Sequence, residues 1–282
     1  METIVGIGSA GCNIAEGFRK YKLYDIYKID SGITNDSFNY GLQDQDTHQG
    51  FEEASNNFEM FFANVDTDVM VVVSGGGKAS GVTLKVLEQL VKKLGKERVN
   101  VLYVQPDIDQ ISGEAKLYEK LVFNVLQQYA RSGMYNNMML VSNPELESAI
   151  GDVPLRGYFD KLNELVVSTI HMINVFEHSQ AEMKIKFRKS ETSKISTFGI
   201  YNLETDEEKL FFPLDNQLEM HYYYAINEKT LESDGNLMQG IKNKMREINN
   251  SSQRGTYGVY STQYDSNYSY LISFSQKVQN NT

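Results

Sequence analysis

The sequence predicts an α/β protein with a mostly parallel sheet in its first half, a long central helix, and a smaller α+β region at its end. Two observations carry this prediction. Short β-branched runs alternate with helical patterns in the first half, which is typical of a parallel sheet covered by helices on both faces. After a long amphipathic stretch, tyrosines crowd the remaining strands. We therefore expect three parts, residues 1–155, 156–178 and 179–282.

The first half contains five predicted strands, each a short apolar run rich in β-branched residues. They cover residues 3–5, 24–29, 69–73, 99–104 and 138–141. Two apolar stripes at helical spacing lie between them, formed by Val82, Val86, Leu90 and Leu94 and by Leu117, Val122 and Val125. This alternation indicates parallel strands that are joined by helical crossovers.

One long helix is predicted at the centre of the chain. Its apolar stripe, with spacings of three and four, runs through Phe159, Leu162, Val166, Ile170 and Ile173. Neither Gly nor Pro interrupts the pattern as far as Phe176. At about 3.6 residues per turn, this stretch forms a helix of roughly six turns.

The region after the central helix is predicted to mix strands with one helix. The strands cover residues 195–203, 221–226, 257–261 and 268–274, and the helix carries Leu237, Ile241, Met245 and Ile248. Ser233 or Asp234 is expected to cap that helix, because short polar side chains accept hydrogen bonds from a first helical turn. The polar tail, residues 276–282, is expected to fray.

Composition excludes several classes of function. The 282 residues carry a formal net charge of −10, which disfavours general binding to nucleic acid or anionic lipid. No apolar run approaches the ~20 residues of a membrane helix, and the start of the chain lacks a signal-peptide pattern. Cys12 is the only cysteine, which fits a reducing, cytoplasmic setting. The 4 histidines show no metal-ligand spacing, so we expect no protein-held metal centre.

The first glycine-rich loop, residues 6–13 (GIGSAGCN), follows a predicted strand and opens a helix. Glycines let the backbone approach a ligand closely, and the amides of a helix N-terminus face an anion. Gly6, Gly8 and Gly11 also satisfy the dinucleotide fingerprint G-x-G-x-x-G, and Asp30 ends the next strand, where a ribose-binding acid would lie. A nicotinamide-dependent oxidoreductase is therefore one candidate function.

The second glycine-rich loop, residues 75–81 (GGGKASG), follows the strand at residues 69–73 and precedes another helix. It is not a P-loop, because Lys78 does not follow the G-x-x-x-x-G-K-[ST] spacing. A nicotinamide-binding sheet needs only one such loop. Two glycine loops at the ends of parallel strands can hold the phosphates of a nucleotide from two sides, so they favour a nucleotide-binding protein.

These two loops resemble those of the tubulin and FtsZ superfamily. The second is similar to the signature GGGTG[ST]G over seven positions, with Lys78 in the place of the threonine and Ala79 in the place of a glycine. The first is similar to tubulin's G-Q-A-G-C. The resemblance implies a Rossmann-like domain over residues 1–155 that binds GTP or GDP and leaves a Mg²⁺ ion open. Nucleotide contacts are implied for Gly8, Ser9, Ala10, Gly11, Cys12, Asn13, Asp30, Gly75, Gly76, Gly77, Lys78, Ala79, Ser80 and Gly81.

A third loop, residues 106–116, lies where the superfamily contacts the ribose. Gly113 and Lys116 are similar to the Gly and Arg of that loop. Ser112 replaces the acid that usually precedes the glycine, so Glu114 is the substitute that we expect together with Lys116.

The base would lie near the start of the central helix. Asn143 follows a strand in the place of a nucleotide-contacting Asn. Phe159 and Asn163 match an aromatic that stacks on guanine and an Asn that hydrogen-bonds it. Their spacing of four puts them on one helix face.

The loop after the central helix carries the catalytic expectation. In the superfamily this loop inserts acids beside the phosphate of the next subunit, as N-x-D-x-x-D does in FtsZ. Residues 178–184 (HSQAEMK) offer Glu182 as the candidate catalytic acid, with Lys184 near the place of the second acid. The resemblance thus implies a head-to-tail homopolymer with slow GTP hydrolysis, or a relative that binds nucleotide without hydrolysing it. Asp46 and Glu177 are the next candidate acids.

Overall fold

A computed structural model describes residues 2–280. Its strands are β1 (Glu2–Ile7), β2 (Tyr24–Ser31), β3 (Asn39–Leu42), β4 (Asp68–Val73), β5 (Val99–Gln105), β6 (Asn137–Ser142), β7 (Met183–Lys184), β8 (Ile195–Asn202), β9 (Glu207–Leu210), β10 (Gln217–Asn227), β11 (Arg254–Thr262) and β12 (Tyr268–Ser275). Its α-helices are α1 (Gly8–Gly17), α2 (His48–Glu53), α3 (Phe58–Phe61), α4 (Thr83–Leu94), α5 (Glu114–Arg131), α6 (Asn143–Ile150), α7 (Tyr158–Glu177), α8 (Glu228–Ser233) and α9 (Leu237–Asn250). Short 3₁₀ turns cover Phe18–Lys20, Lys78–Val82 and Lys96–Arg98.

The described strands form one sheet of 12, in the order β3-β2-β1-β4-β5-β6-β8-β12-β10-β11-β7, with β9 beside β8. The run from β3 to β6 is parallel throughout. All five strands predicted in the first half are present, and α7 spans 20 residues as its apolar stripe predicted. The α/β architecture is therefore confirmed.

The chain changes direction across the sheet between β1 and β4. From β1 it moves outward to β2 and β3, then returns to lie beside β1 as β4 and moves the other way to β5 and β6. In an open parallel sheet such a reversal leaves a crevice at the carboxyl ends of the two central strands. Both glycine loops follow these two strands, so the topology places them together.

Helices cover both faces of the parallel sheet. On one face, α4 and α5 bury Val86, Leu90 and Phe123 against the sheet. On the other face, α1 and α7 pack together, and a Cβ atom added at Gly17 would lie only 3.0 Å from Val167 of α7. None of the helices in residues 2–280 combines the length and the apolar character that a membrane span requires.

The second half of the chain continues the same sheet. The first residues of β8 pair with β6 at Met138–Ile195, Met139–Ser196 and Leu140–Thr197. The rest of that edge of β8 pairs with β9. Helix α9 then covers the tyrosine-rich strands, with Ile241, Met245 and Ile248 in the core. The division into domains at residues 155 and 178 stays a prediction.

Two local predictions are wrong. Helix α9 begins at Leu237 after Asn236, without a side-chain cap, because Ser233 belongs to α8 and Asp234 accepts a hydrogen bond from the Asn236 amide. The tail is not frayed as far as residue 280, because Gln279 is only 2% exposed. Residues 281 and 282 of that prediction lie outside the described residues.

The segment after β12, which we call the strap (residues 276–280), is fastened to α5. The Gln279 amide donates to Gln127 Oε1 at 2.7 Å, and Gln127 Nε2 donates back to the Gln279 carbonyl at 3.1 Å. The Gln279 side chain accepts from the Asp215 amide at 2.6 Å. Buried amide groups require such partners, so polar composition alone did not indicate an exposed tail.

Candidate functional site

The first glycine loop presses the start of α1 against the sheet. Helix α1 begins at Gly8, which has a φ of 68°, a conformation that favours glycine. A Cβ atom added at Gly6 would lie 2.5 Å from the Gly11 oxygen, and one at Gly11 would overlap the Val72 oxygen of β4. Gly6 and Gly11 are therefore required by packing. The unpaired amides of the first turn of α1 consequently face the crevice beside β4.

The second glycine loop is tightly packed at both ends and open in the middle. A Cβ atom at Gly75 would overlap the Tyr103 hydroxyl, and one at Gly81 would overlap the His48 oxygen. At Gly77 a Cβ atom would meet nothing within 4 Å. Ser80 Oγ donates to the Gly77 oxygen at 2.6 Å and fixes the turn. The open stretch is thus the part of the loop that a ligand can approach.

The structure brings the two loops and Asp30 together. A Cβ atom at Gly8 would lie 3.7 Å from Ala79 Cβ, so the loops face each other across a narrow gap. Ser9 Oγ donates to Asp30 Oδ2 at 2.9 Å, and the Ser31 amide donates to Asp30 Oδ1 at 2.9 Å. Asp30 therefore stabilises the first loop, and it lies where the sequence analysis placed a ribose-binding acid.

Cys12 and Asn13 follow within α1. The Cys12 thiol is buried and donates to the Gly6 and Ile29 oxygens. Burial raises the pKa of this thiol to about 12, so it is not a reactive thiolate. Any contact between Cys12 and a ligand would come from its main chain. The Asn13 side chain is exposed.

The third loop abuts the second. A Cβ atom at Gly76 would lie 3.8 Å from both Pro106 Cγ and the Ala115 oxygen. Glu114 opens α5 and accepts a hydrogen bond from the Tyr118 hydroxyl at 3.1 Å. Lys116 lies on the wall of a cleft of about 730 Å³, which Asp107 also lines. The carboxyl ends of β1, β4 and β5 therefore all contribute to one edge.

The predicted base-binding residues belong to α6 and α7. Asn143 is the first residue of α6, directly after β6. The Tyr158 hydroxyl donates to Glu147 Oε2 at 2.8 Å and joins the first turn of α7 to α6. Phe159 is 61% exposed, and Asn163 is half-buried one turn later. An aromatic ring this exposed is free to stack on a planar ligand.

Glu182 does not lie at the glycine loops of its own chain. Its amide donates to the Val259 oxygen at 2.8 Å, beside the edge strand β7, and its side chain is exposed. Helix α7 ends near the amino end of β1, because Asn174 Nδ2 donates to Glu2 Oε2 at 3.0 Å. The glycine loops follow the opposite, carboxyl end of β1. Glu177 accepts a hydrogen bond from Tyr223 at 2.7 Å.

Two supporting residues lacked a sequence signal. His48 and Tyr103 hold the two ends of the second loop, through a main-chain oxygen and a hydroxyl respectively. His48 also stacks on Tyr118, with ring centroids 5.2 Å apart. Such contacts depend on tertiary packing, which no local pattern reports. Thr47 caps α2 by accepting from the Gly50 amide, so it also has a structural role.

The loops do not form a protein ligand set for Mg²⁺. Among residues 2–280, no three His, Cys, Asp or Glu side chains are grouped so that they could hold a metal ion. Asp30 is the only carboxylate among the predicted residues of the two loops and their adjoining strand, and it already accepts two hydrogen bonds. Lys78 adds a positive charge to the second loop. This donor set suits an anion.

Comparisons with known proteins agree on the fold. No protein-family model matches the sequence, and no curated protein matches it. The empty FtsZ dimer of M. jannaschii superposes with a TM-score of 0.66 at 13% identity, over 97% of this chain and 87% of that chain. GDP-form protofilaments of Bacillus thuringiensis serovar israelensis TubZ give 0.69 at 14%, over 97% and 85%. The GTPγS-bound protofilament of CetZ2 from Haloferax volcanii gives 0.69 at 15%, over 97% and 92%. The chain therefore has a divergent tubulin/FtsZ-like fold.

Proposed function

We propose that the chain binds GTP and assembles head to tail into cytoskeletal filaments. One observation carries the proposal: two glycine loops face each other across a gap at the topological switch point, with open backbone between their packed ends. Such a gap suits the phosphates of a nucleotide. Structural neighbours support this reading, since the TubZ and CetZ2 structures are protofilaments in GDP and GTPγS forms.

The remaining predicted residues fit the rest of a nucleotide. Asp30 and the third loop flank the glycine loops on the sheet edge, where they would contact the ribose. Phe159 would stack on the base, and Asn163 would hydrogen-bond its edge. A site that hydrogen-bonds one base edge discriminates against a base that lacks the matching groups. This is the basis for proposing guanine.

Hydrolysis would be completed between subunits. Within one chain, α7 ends near the start of β1, whereas the glycine loops follow its end. In a head-to-tail polymer, the loop that carries Glu182 would therefore meet the glycine loops of the next subunit. A carboxylate there can orient the water that attacks the terminal phosphate. A chain that binds GTP without turnover is the alternative, because Lys184 stands near the place of the second acid.

Titration calorimetry with GTP, ATP and NAD tests the nucleotide. We expect binding of GTP, weaker binding of ATP, and no binding of NAD. Phe159→Ala should lower GTP affinity about tenfold or more, because a stacked base loses its aromatic partner. Leu155→Ala is the control, since Leu155 is 93% exposed and has no proposed ligand contact. A preference for NAD would favour the oxidoreductase suggested by Gly6, Gly8 and Gly11 and would refute the proposal.

A further inference from the structure

Lys78 is an exposed cation on the second glycine loop. It opens the 3₁₀ turn Lys78–Val82 directly after the open position Gly77. Among residues 2–280, no carboxylate lies within ion-pair distance of its ammonium group, whereas Lys28, Lys161, Lys244 and Lys277 each pair with an acid. The chain has 37 acidic and 27 basic residues, so an unpaired lysine at this loop is not explained by a shortage of acids.

The position of Lys78 directs it to the gap between the loops. Its neighbour Ala79 faces Gly8 at 3.7 Å, and its other neighbour, Gly77, has open space in front of it. The flexible four-carbon stem of lysine carries a compact charge with three donors, which binds phosphate oxygens well. The loop therefore supplies both backbone amides and a mobile positive charge to an anion.

A divalent cation has no comparable support at this gap. Mg²⁺ is usually held by one or two carboxylates together with phosphates. Asp30, the carboxylate nearest to the first loop, accepts hydrogen bonds from Ser9 and Ser31. The Lys78 ammonium would also repel a second cation close to the same phosphate.

We propose that Lys78 neutralises the terminal phosphate of the bound nucleotide in place of a divalent cation, so that the chain binds its nucleoside triphosphate without metal. This inference rests on the proposed GTP site and names the charge that completes it. It also gives a reason for the replacement of the threonine in the signature loop by lysine.

The test is calorimetric titration of GTP and GDP in excess EDTA and in excess MgCl₂. We expect the wild-type affinity for GTP to differ by less than about threefold between the two buffers, since the protein supplies the charge. Lys78→Thr should lower GTP affinity in EDTA about tenfold or more, and added Mg²⁺ should restore much of it. The loss should be smaller for GDP, which lacks the terminal phosphate.

Two variants make the result specific. Lys78→Arg keeps the charge and should retain metal-independent binding. Lys92→Ala removes an exposed charge from the far end of α4 and should bind as the wild type does. Circular dichroism checks that each variant is folded.

The outcomes separate this inference from the proposed function. Wild-type binding that collapses in EDTA, equal losses of GTP and GDP, or a Lys78→Thr variant that behaves as the wild type would each overturn the role of Lys78 and leave the GTP site intact. Wild-type protein that binds GTP in neither buffer would refute the site itself.

Discussion

Residues that look equivalent in the glycine loops have different physical roles. Gly6, Gly11 and Gly81 are needed because a side chain would collide with main-chain atoms. Gly77 is open, and its φ of −93° is one that any residue adopts. The sequence located the loops correctly. It could not separate packed glycines from open ones, because that difference depends on neighbours from other strands.

Gly77→Val therefore tests ligand approach without a change in the core. We expect the variant to fold normally and to lose GTP affinity at least tenfold, because the valine side chain would occupy the open approach to the loop. Calorimetry and thermal unfolding measure the two effects. Gly240→Ala, at another open glycine, is the control that should bind normally. Wild-type affinity in a folded Gly77→Val protein would mean that the loop is only a turn.

His221 predicts a dependence of stability on pH. It is 6% exposed, its Nδ1 lies 2.8 Å from Thr256 Oγ1, and burial lowers its pKa from 6.5 to about 4. The folded state therefore keeps it neutral while the unfolded chain binds a proton. Its stabilising contribution is present above pH 6.5 and is lost as the pH falls towards 4. At about 1.4 kcal/mol per pKa unit, the loss approaches roughly 3 kcal/mol.

Urea unfolding at about pH 7 and about pH 4.5 measures this effect. His221→Gln should show a shallower loss of stability over this range than the wild type. The difference between the two proteins removes other titrating groups, such as Glu2, whose pKa is raised to about 7 mainly by burial and which acts in the opposite sense. His178→Gln, at an exposed site, should keep the wild-type slope. Parallel slopes for His221→Gln and the wild type would contradict the prediction.

At the scale of elements, sequence patterns performed best where burial is continuous. Helix α7 was predicted because its apolar stripe runs without interruption along 20 residues. Strand β3 was missed, since its residues Asn-Tyr-Gly-Leu contain no β-branched side chain. The strap was mistaken for a frayed end because its burial depends on one glutamine of α5, 152 positions away.

Gln127→Ala should release the strap. It leaves the main-chain amide and carbonyl of Gln279 without their partner, which costs about 1–3 kcal/mol of unfolding free energy. Urea denaturation measures the cost, and hydrogen exchange should show faster exchange of the Gln279 amide. Gln128→Ala changes an exposed glutamine on the same helix and should leave both quantities unchanged. Unaltered exchange at Gln279 would show that the two hydrogen bonds do not hold the strap.

At the scale of the whole molecule, the continuous sheet could not be predicted. It depends on the pairing of β6 with β8, and the Thr197–Leu140 hydrogen bond in that region joins residues 57 positions apart. No local pattern encodes such a contact. The relation of Glu182 to the glycine loops is likewise a property of the whole chain, because strand order places β7 at one end of the sheet.

Assembly and turnover are predicted together. With GTP, we expect filaments by electron microscopy and a rate per subunit that rises with protein concentration, because each site needs two chains. Glu182→Ala should lower turnover by about 100-fold or more while GTP binding persists. Glu191→Ala, another exposed glutamate after α7, is the matched control. Filaments without any phosphate release would favour the non-hydrolysing alternative, and turnover that survives Glu182→Ala would show that another acid is responsible.

The two ends of the sheet bear on how this chain avoids aggregation. Its edge strands are β3, with 4 residues, and β7, with 2. Lys184 lies in β7 and Lys186 follows it, both exposed. Short edges with lysines offer few unpaired backbone groups to another strand, and this disfavours edge-to-edge stacking of the amyloid kind. A chain that must gather many copies of itself thereby leaves little exposed edge through which those copies could associate irreversibly.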